Sequence, residues 1–156
     1  SVTVHRVTSA AEMYDAATSI FPTTDGAVMA AAVADYTPAE KIDGKLKRDK
    51  ASLTLSLVPT RDIAAQLGSL KKSGQLLVGF ALEATNEQAN AQEKMRKKNL
   101  DLIVLNSMND AGAGFDVSTN KVTIFDKNGR QISYNLKPKI AVACDIVDEM
   151  MGMMIS

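Results

Sequence analysis

The chain has 156 residues, 46% of them apolar, and its Lys plus Arg and Asp plus Glu balance at 18 each. That size fits one domain with a real core, and zero net charge excludes a general nucleic-acid or membrane surface, so any anion site must come from local clustering of charge. The single cysteine, Cys144, excludes an intramolecular disulfide and fits a reducing, cytoplasmic setting, and no apolar run approaches the ~18 residues of a membrane span.

Residues 2–7 (VTVHRV) alternate at period two and are β-branched, which predicts a strand. Residues 9–21 follow as a short helix, with Ser9 and Glu12 in capping-box spacing. Residues 26–34 (GAVMAAAVA) are apolar and unbroken after an Asp25-Gly26 turn, the pattern of a fully buried strand. A loop from Asp35 to Lys50 carries Lys45, Lys47, Arg48 and Lys50, and residues 52–57 (SLTLSL) alternate as a strand with one wet face. Pro59 and Thr60 open a helix to Leu70, with Gly74 in its exit turn. Residues 76–82 (LLVGFAL) read as a buried strand, and Thr85 and Gln88 as the cap of a helix to Lys98, with Asn99 as a left-handed stop. Residues 101–106 (DLIVLN) are a further core strand, followed by a glycine-bearing loop over 109–115. Residues 121–136 form a hairpin turning at Asn128-Gly129, and Pro138 starts the last helix, in which Cys144 is expected to serve packing.

Buried strands alternating with helices imply a single α/β domain: a Rossmann-like, mostly parallel sheet with helices on both faces and a late antiparallel hairpin. Ligands of such sheets sit in the crevice at the strand C-termini. Three segments converge there: the strand leading to Asp35 and the basic loop, the strand ending with Phe80 and Glu83, and the strand ending at Asn106. Lys94 and Lys98 lie i and i+4 on one helix face, where they repel each other unless an anion sits between them; positive charge there also suits the helix C-terminus. Asp35 is placed to contact a nucleotide or a hydrated Mg²⁺, or to pair with a neighbouring lysine. Phe80 is a core residue that can also stack on a base. His5 is the sole histidine, so no Ser-His-Asp set can be assembled, and neither zinc spacing, a GxxxxGK[ST] loop nor a complete dinucleotide fingerprint is present.

The blocks AAVADY (31–36), GKLKR (44–48), GFALE (79–83) and KMRKKNLDLIVLN (94–106), in this order and spacing, resemble the bacterial phosphopantothenate–cysteine ligase (phosphopantothenoylcysteine synthetase) family of coenzyme A biosynthesis. The resemblance implies CTP and Mg²⁺ as requirements. The carboxylate of 4′-phosphopantothenate attacks the α-phosphate of CTP, and the amine of cysteine then attacks the acyl-cytidylate and releases CMP. By motif, Met29, Ala30, Ala31, Ala32 and Asp35 match the strand end that contacts nucleotide and intermediate, and Lys45 matches the lysine of the basic loop. Arg61, Asp62, Ile63 and Ala64 match a CTP-contacting turn at a helix start, where free N–H groups favour phosphate. Phe80, Lys94 and Lys98 match further nucleotide contacts, while Lys45, Ala31 and Ala32 are the positions expected to act on the intermediate. The resemblance also implies a homodimer and a fused or separate flavin-dependent decarboxylase. The family opens with a Gly/Ser-rich turn and an asparagine that match nothing here, so the chain is expected to be N-terminally incomplete.

Other classes stay open. A nucleotide- or pantetheine-binding module without catalysis would bind CTP and release no pyrophosphate. A Rossmann-like NAD(P) oxidoreductase would prefer NADPH, and a purely structural domain would prefer no nucleotide.

Overall fold

The computed structural model describes residues 1–40, 42, 44, 45, 52–83, 85–107 and 117–155. Lys47, Arg48 and Lys50 of the basic run, and the loop over 109–115, lie outside the described residues. In chain order the elements are α1 (Ala10–Ile20), a 3-10 turn (Phe21–Thr23), β1 (Gly26–Met29), β2 (Tyr36–Pro38), β3 (Leu57–Pro59), α2 (Ile63–Leu70), β4 (Leu76–Glu83), α3 (Glu87–Lys97), β5 (Leu102–Ser107), β6 (Thr119–Asn120), β7 (Val122–Asp126), β8 (Gln131–Ser133), β9 (Lys137–Pro138) and α4 (Lys139–Ile155).

The main sheet has the order β1-β4-β5-β7-β8. β1, β4 and β5 run parallel, and the β7–β8 hairpin is antiparallel, with Gly129 at φ 92° supplying the left-handed residue of its turn. Strand alternation divides the core. Leu77, Ala81, Ile103 and Leu105 point to one face, where they pack with Ile63 and Leu67 of α2 and Ala91 and Met95 of α3. Val78, Leu102, Val104, Val122 and Ile124 point to the other face, against Val142 and Ile146 of α4. β4 and β5 are covered on both sides, which is why their sequences are continuous apolar runs. The α/β class with a largely parallel sheet and helices on both faces therefore holds.

Two contacts fix the frame. A Cβ on Gly68 would lie 1.9 Å from the carbonyl oxygen of Lys98, so only glycine lets α2 approach the end of α3 this closely. Asn99, left-handed at φ 51°, locks the approach by donating its Nδ2 to the Gly68 carbonyl at 2.8 Å. At the opposite end of the sheet from the strand C-termini, buried Asp101 accepts from the Leu77 N–H at 2.8 Å, from Lys71 Nζ at 2.8 Å and from Lys127 Nζ at 2.9 Å. Burial works against its charge, but the two lysines and the amide outweigh it and hold the carboxyl below its ordinary value.

Several expectations from the sequence are corrected. Residues 2–7 are exposed and form no strand; alternation yields a strand only where a neighbour supplies the ladder, and none of the described strands pairs with this segment. β1 stops at Met29 rather than Ala34, because residues 30–34 leave the sheet. Of the expected 52–57 strand only Leu57 is strand, as the first residue of β3, which pairs with β2, an element that the sequence reading had assigned to loop. α2 starts after Asp62, since Pro59 is held in β3. α3 is entered through left-handed Asn86, while Gln88 reaches Gln131 instead of capping. Pro138 belongs to β9, and α4 begins one residue later. Cys144 is exposed rather than packed, because α4 buries only the stripe through Val142 and Ile146 and leaves Ile140, Val147 and Met151 outward.

Candidate functional site

A cavity of about 460 Å³ opens at the C-terminal ends of β1 and β4, a size suited to a nucleotide-scale ligand. β1 and the chain leaving it contribute Met29, Ala31 and Val33, and Asp35 and Tyr36 follow at the entry to β2. This turn is held in place by Thr60, whose Oγ1 donates to the Ala34 carbonyl at 2.6 Å and whose N–H donates to the Asp35 carbonyl at 2.8 Å. Arg61, Asp62, Ile63 and Ala64 form one wall at the start of α2, Lys94 and Lys98 another along α3, and Gly79 and Phe80 lie on β4. The α2 start is fixed from behind. The Arg61 guanidinium stacks 3.8 Å from the Tyr14 ring centroid and donates to Asp15 Oδ1 at 2.9 Å.

The cations of this cavity are paired. Lys94 Nζ lies 2.7 Å from Glu83 Oε1, and Asn90 Nδ2 donates to the same carboxylate at 3.1 Å. The Lys94 hydrogen bond is the main reason that the Glu83 carboxyl is held below its ordinary value. Lys98 Nζ lies 3.0 Å from Asp62 Oδ2, while Asp62 Oδ1 caps α2 by accepting from the Ala65 N–H at 3.0 Å. Burial opposes charge on Asp62, but the Ala65 amide and Lys98 prevail and lower its pKa. The mutual repulsion of Lys94 and Lys98 is thus already relieved by carboxylates, and the α2 N-terminus is partly filled by its own Asp62 rather than left free for phosphate.

A second cavity of about 390 Å³ lies on the α4 side of the same strand ends. It shares Met29, Ala31 and Phe80 with the first and adds Ala30, Ala32, Asn106, Asn120, Lys139, Val142 and Ile146. β6 pairs with β9, which brings Asn120 beside the start of α4.

Residues 1–154 match the family described as DNA/pantothenate metabolism flavoprotein C-terminal domain. The chain belongs to that family. The resemblance carried by the sequence blocks is therefore borne out. Among family relatives, the coenzyme A biosynthesis bifunctional protein CoaBC of Bacillus subtilis (strain 168) is 43% identical over 143 residues, 92% of this chain and 35% of that protein. A protein named cysteine/cysteine sulfinic acid decarboxylase, from an unknown prokaryotic organism, is 51% identical over 146 residues, 94% of this chain and 41% of its own length. The chain thus spans well under half of these curated relatives. The crystal structure of the C-terminal domain of a CoaBC protein superposes with a TM-score of 0.79 at 33% identity, covering 99% of this chain and 68% of that one. A Cab2 mutant in complex with phosphopantothenate-cysteine shares the fold alone, with a TM-score of 0.59 at 16% identity over 96% of this chain and 54% of that one.

Most of the family-matched positions come together. Met29, Ala31, Asp35, Arg61, Asp62, Ile63, Ala64, Phe80, Lys94 and Lys98 line the first cavity, whereas Ala30 and Ala32 face the second. Lys45 is exposed and lines neither. Asn120 and Lys139 escaped the sequence reading. The available signal was Lys139 directly after Pro138 at a helix start, a position favourable to anions.

Proposed function

We propose that this chain carries the nucleotide-binding and acid-activating part of a CTP-dependent phosphopantothenate–cysteine ligase. The observation that carries the reading is the strand-end cavity lined by Lys94, Lys98, Arg61 and Phe80. In the first step a carboxylate oxygen of 4′-phosphopantothenate attacks the α-phosphorus of CTP. The O–P bond forms, the bond to the β-phosphate breaks, and pyrophosphate leaves with the electron pair. In the second step the cysteine amine attacks the acyl carbon, the C–N bond forms, CMP leaves with the acyl–oxygen electron pair, and the amine proton passes to phosphate or solvent. Lys94 and Lys98 neutralise the charge that grows on the departing pyrophosphate. Lys45 enters from the basic loop, Ala31 and Ala32 present backbone at the reacting centre, and Phe80 packs against the base or ribose.

Mg²⁺ would supply further neutralisation of the triphosphate. Such an ion would be carried in on the phosphates, with Asp35 of the cavity lining as the nearby carboxylate. A homodimer belongs to the same reading, with β8 at the sheet edge as a strand-pairing surface. So does a flavin-dependent decarboxylase, fused or separate, in keeping with the name of the 51% identical relative.

The test is calorimetric titration with Mg-CTP, against ATP and NADPH, followed by assay of pyrophosphate release on adding 4′-phosphopantothenate. CTP preference with acid-dependent pyrophosphate release is expected. NADPH preference would favour an oxidoreductase, and CTP binding without pyrophosphate release a non-catalytic module.

A further inference from the structure

Three consecutive residues between β3 and α2 each reach in a different direction. Asp62 caps α2 and meets Lys98, and Arg61 reaches back to Tyr14 and Asp15 of α1. Thr60, itself part of the lining of the first cavity, reaches the turn that carries Asp35. Its Oγ1 donates to the Ala34 carbonyl at 2.6 Å and its N–H to the Asp35 carbonyl at 2.8 Å. Two successive carbonyls of that turn are thus tied to one residue, 26 positions beyond Ala34 in the chain. The local sequence explains why Thr60 makes this tie. In the β2–β3 ribbon Tyr36 lies opposite Pro59, and proline has no N–H to give. The next N–H along the chain is that of Thr60, and the ribbon closes there. β1 has already ended at Met29, so among the described residues no ladder of the main sheet holds the 34–35 peptides. No ion pair or side-chain hydrogen bond among the described residues holds the Asp35 carboxylate either, so its place in the cavity lining follows from its backbone.

We infer that Thr60 is a positioning residue of the nucleotide site, whose hydroxyl fixes the 34–35 turn and, through it, the Asp35 carboxylate. The inference rests on the ligase reading and extends it to a residue outside the positions matched to the nucleotide. Without the hydroxyl, the Thr60 N–H remains as a single pivot and the Ala34 peptide is free to rotate about it. Asp35 then spends only part of its time where the nucleotide needs it, and apparent affinity falls by that fraction. The Thr60–Ala34 contact is exposed, so water can satisfy the released carbonyl. The loss therefore falls on the geometry of the site and spares the fold.

The experiment is calorimetry with Mg-CTP, with thermal melts alongside, on the unaltered protein, Thr60→Val, Thr60→Ser, Asp35→Asn and the double variant Thr60→Val/Asp35→Asn. Loss of one neutral hydrogen bond predicts a rise in Kd of about two- to tenfold in Thr60→Val. Thr60→Ser keeps the hydroxyl and should recover the affinity. Thr23→Val is the control: it removes a hydroxyl-to-carbonyl bond of the same kind, 2.9 Å to Ile20, away from the cavity, and should leave Kd unchanged. Asp35→Asn raises Kd by itself, and because Thr60 acts through Asp35, adding Thr60→Val to it should change little more. An equal loss from Thr60→Val in both backgrounds, or a fall in Tm well beyond that of Thr23→Val, would make Thr60 part of the frame and overturn the inference. An unchanged Kd in Asp35→Asn would overturn it as well. If the unaltered protein binds no CTP, the ligase reading fails and takes this inference with it. If it binds CTP and Asp35→Asn weakens binding while Thr60→Val does not, only this inference falls.

Discussion

Replacing Lys94 and Lys98 by glutamine tests the proposed nucleotide site most directly. A charge-assisted hydrogen bond from lysine to phosphate contributes about 1.5–3 kcal/mol. Each lysine must first yield a carboxylate. The Lys94–Glu83 pair has side chains 46% and 14% exposed, and the Lys98–Asp62 pair 32% and 48%. Pairs this open to solvent are each worth only about 0.2–1 kcal/mol. The difference leaves about 1–2 kcal/mol per lysine, or about 5- to 30-fold in Kd for Mg-CTP. The two lysines share one polyphosphate, so the double variant should lose less than the product of the single effects. Calorimetry at low salt should reveal the full loss, and a repeat at high salt a smaller one, because screening has already weakened the unaltered site. Lys97→Gln is the control, since Lys97 pairs with Glu93 and lies outside the cavity. A Kd for the double variant equal to that of the control at low salt would refute the reasoning and leave these lysines as partners of Glu83, Asp62 and the α3 C-terminus.

Two further substitutions probe the frame. Gly68→Ala places a methyl 1.9 Å from the Lys98 carbonyl. Overpacking of about 1–3 kcal/mol should lower Tm by about 2–4 °C per kcal/mol and weaken CTP binding by displacing Lys98; an unchanged melting curve would mean that α2 and α3 can part freely. Asp101→Asn removes the charge that Lys71 and Lys127 surround and should cost about 3 kcal/mol at neutral pH. Because folding lowers the pKa of Asp101, its contribution is complete above the unfolded value near 3.9 and fades as pH falls through the folded one. Thermal melts between pH 7 and pH 2 should therefore decline less steeply below about pH 4 in the variant, and parallel declines would count against Asp101 as the acid-sensitive group.

Much of the architecture was legible because β4 and β5 are buried on both faces and therefore write themselves as unbroken apolar runs. Asn99 announced the end of α3 because few other side chains accept its left-handed backbone. Residues 2–7 and 52–57 misled because alternation reports which side chains share a face and is silent about whether a neighbouring strand exists. Cys144 misled for a related reason: α4 is apolar on nearly every side, so composition could not say which stripe faces the sheet. At the site, the blocks around Asp35, Phe80 and Lys94 pointed to the strand-end crevice where the first cavity opens. The partners that set its electrostatics did not show, since Asp62 meets Lys98, and Asp15 meets Arg61, only after separate helices pack. The second cavity was legible only in part: Asn106 was placed at the strand ends, whereas Asn120 and Lys139 join it from another strand and a helix start.

Because Lys94 and Lys98 are held by Glu83 and Asp62, anion binding in the first cavity would, on the ligase reading, be an exchange of partners. A triphosphate carries several negative charges along one chain and can draw both lysines from their carboxylates at once. A nucleoside monophosphate has one phosphate to offer, and the tethered carboxylates, always close by, reclaim the lysines from it. On the ligase reading, the contacts that admit CTP thus become the means of expelling CMP: once pyrophosphate has gone, the resting ion pairs re-form and clear the site for the next turnover.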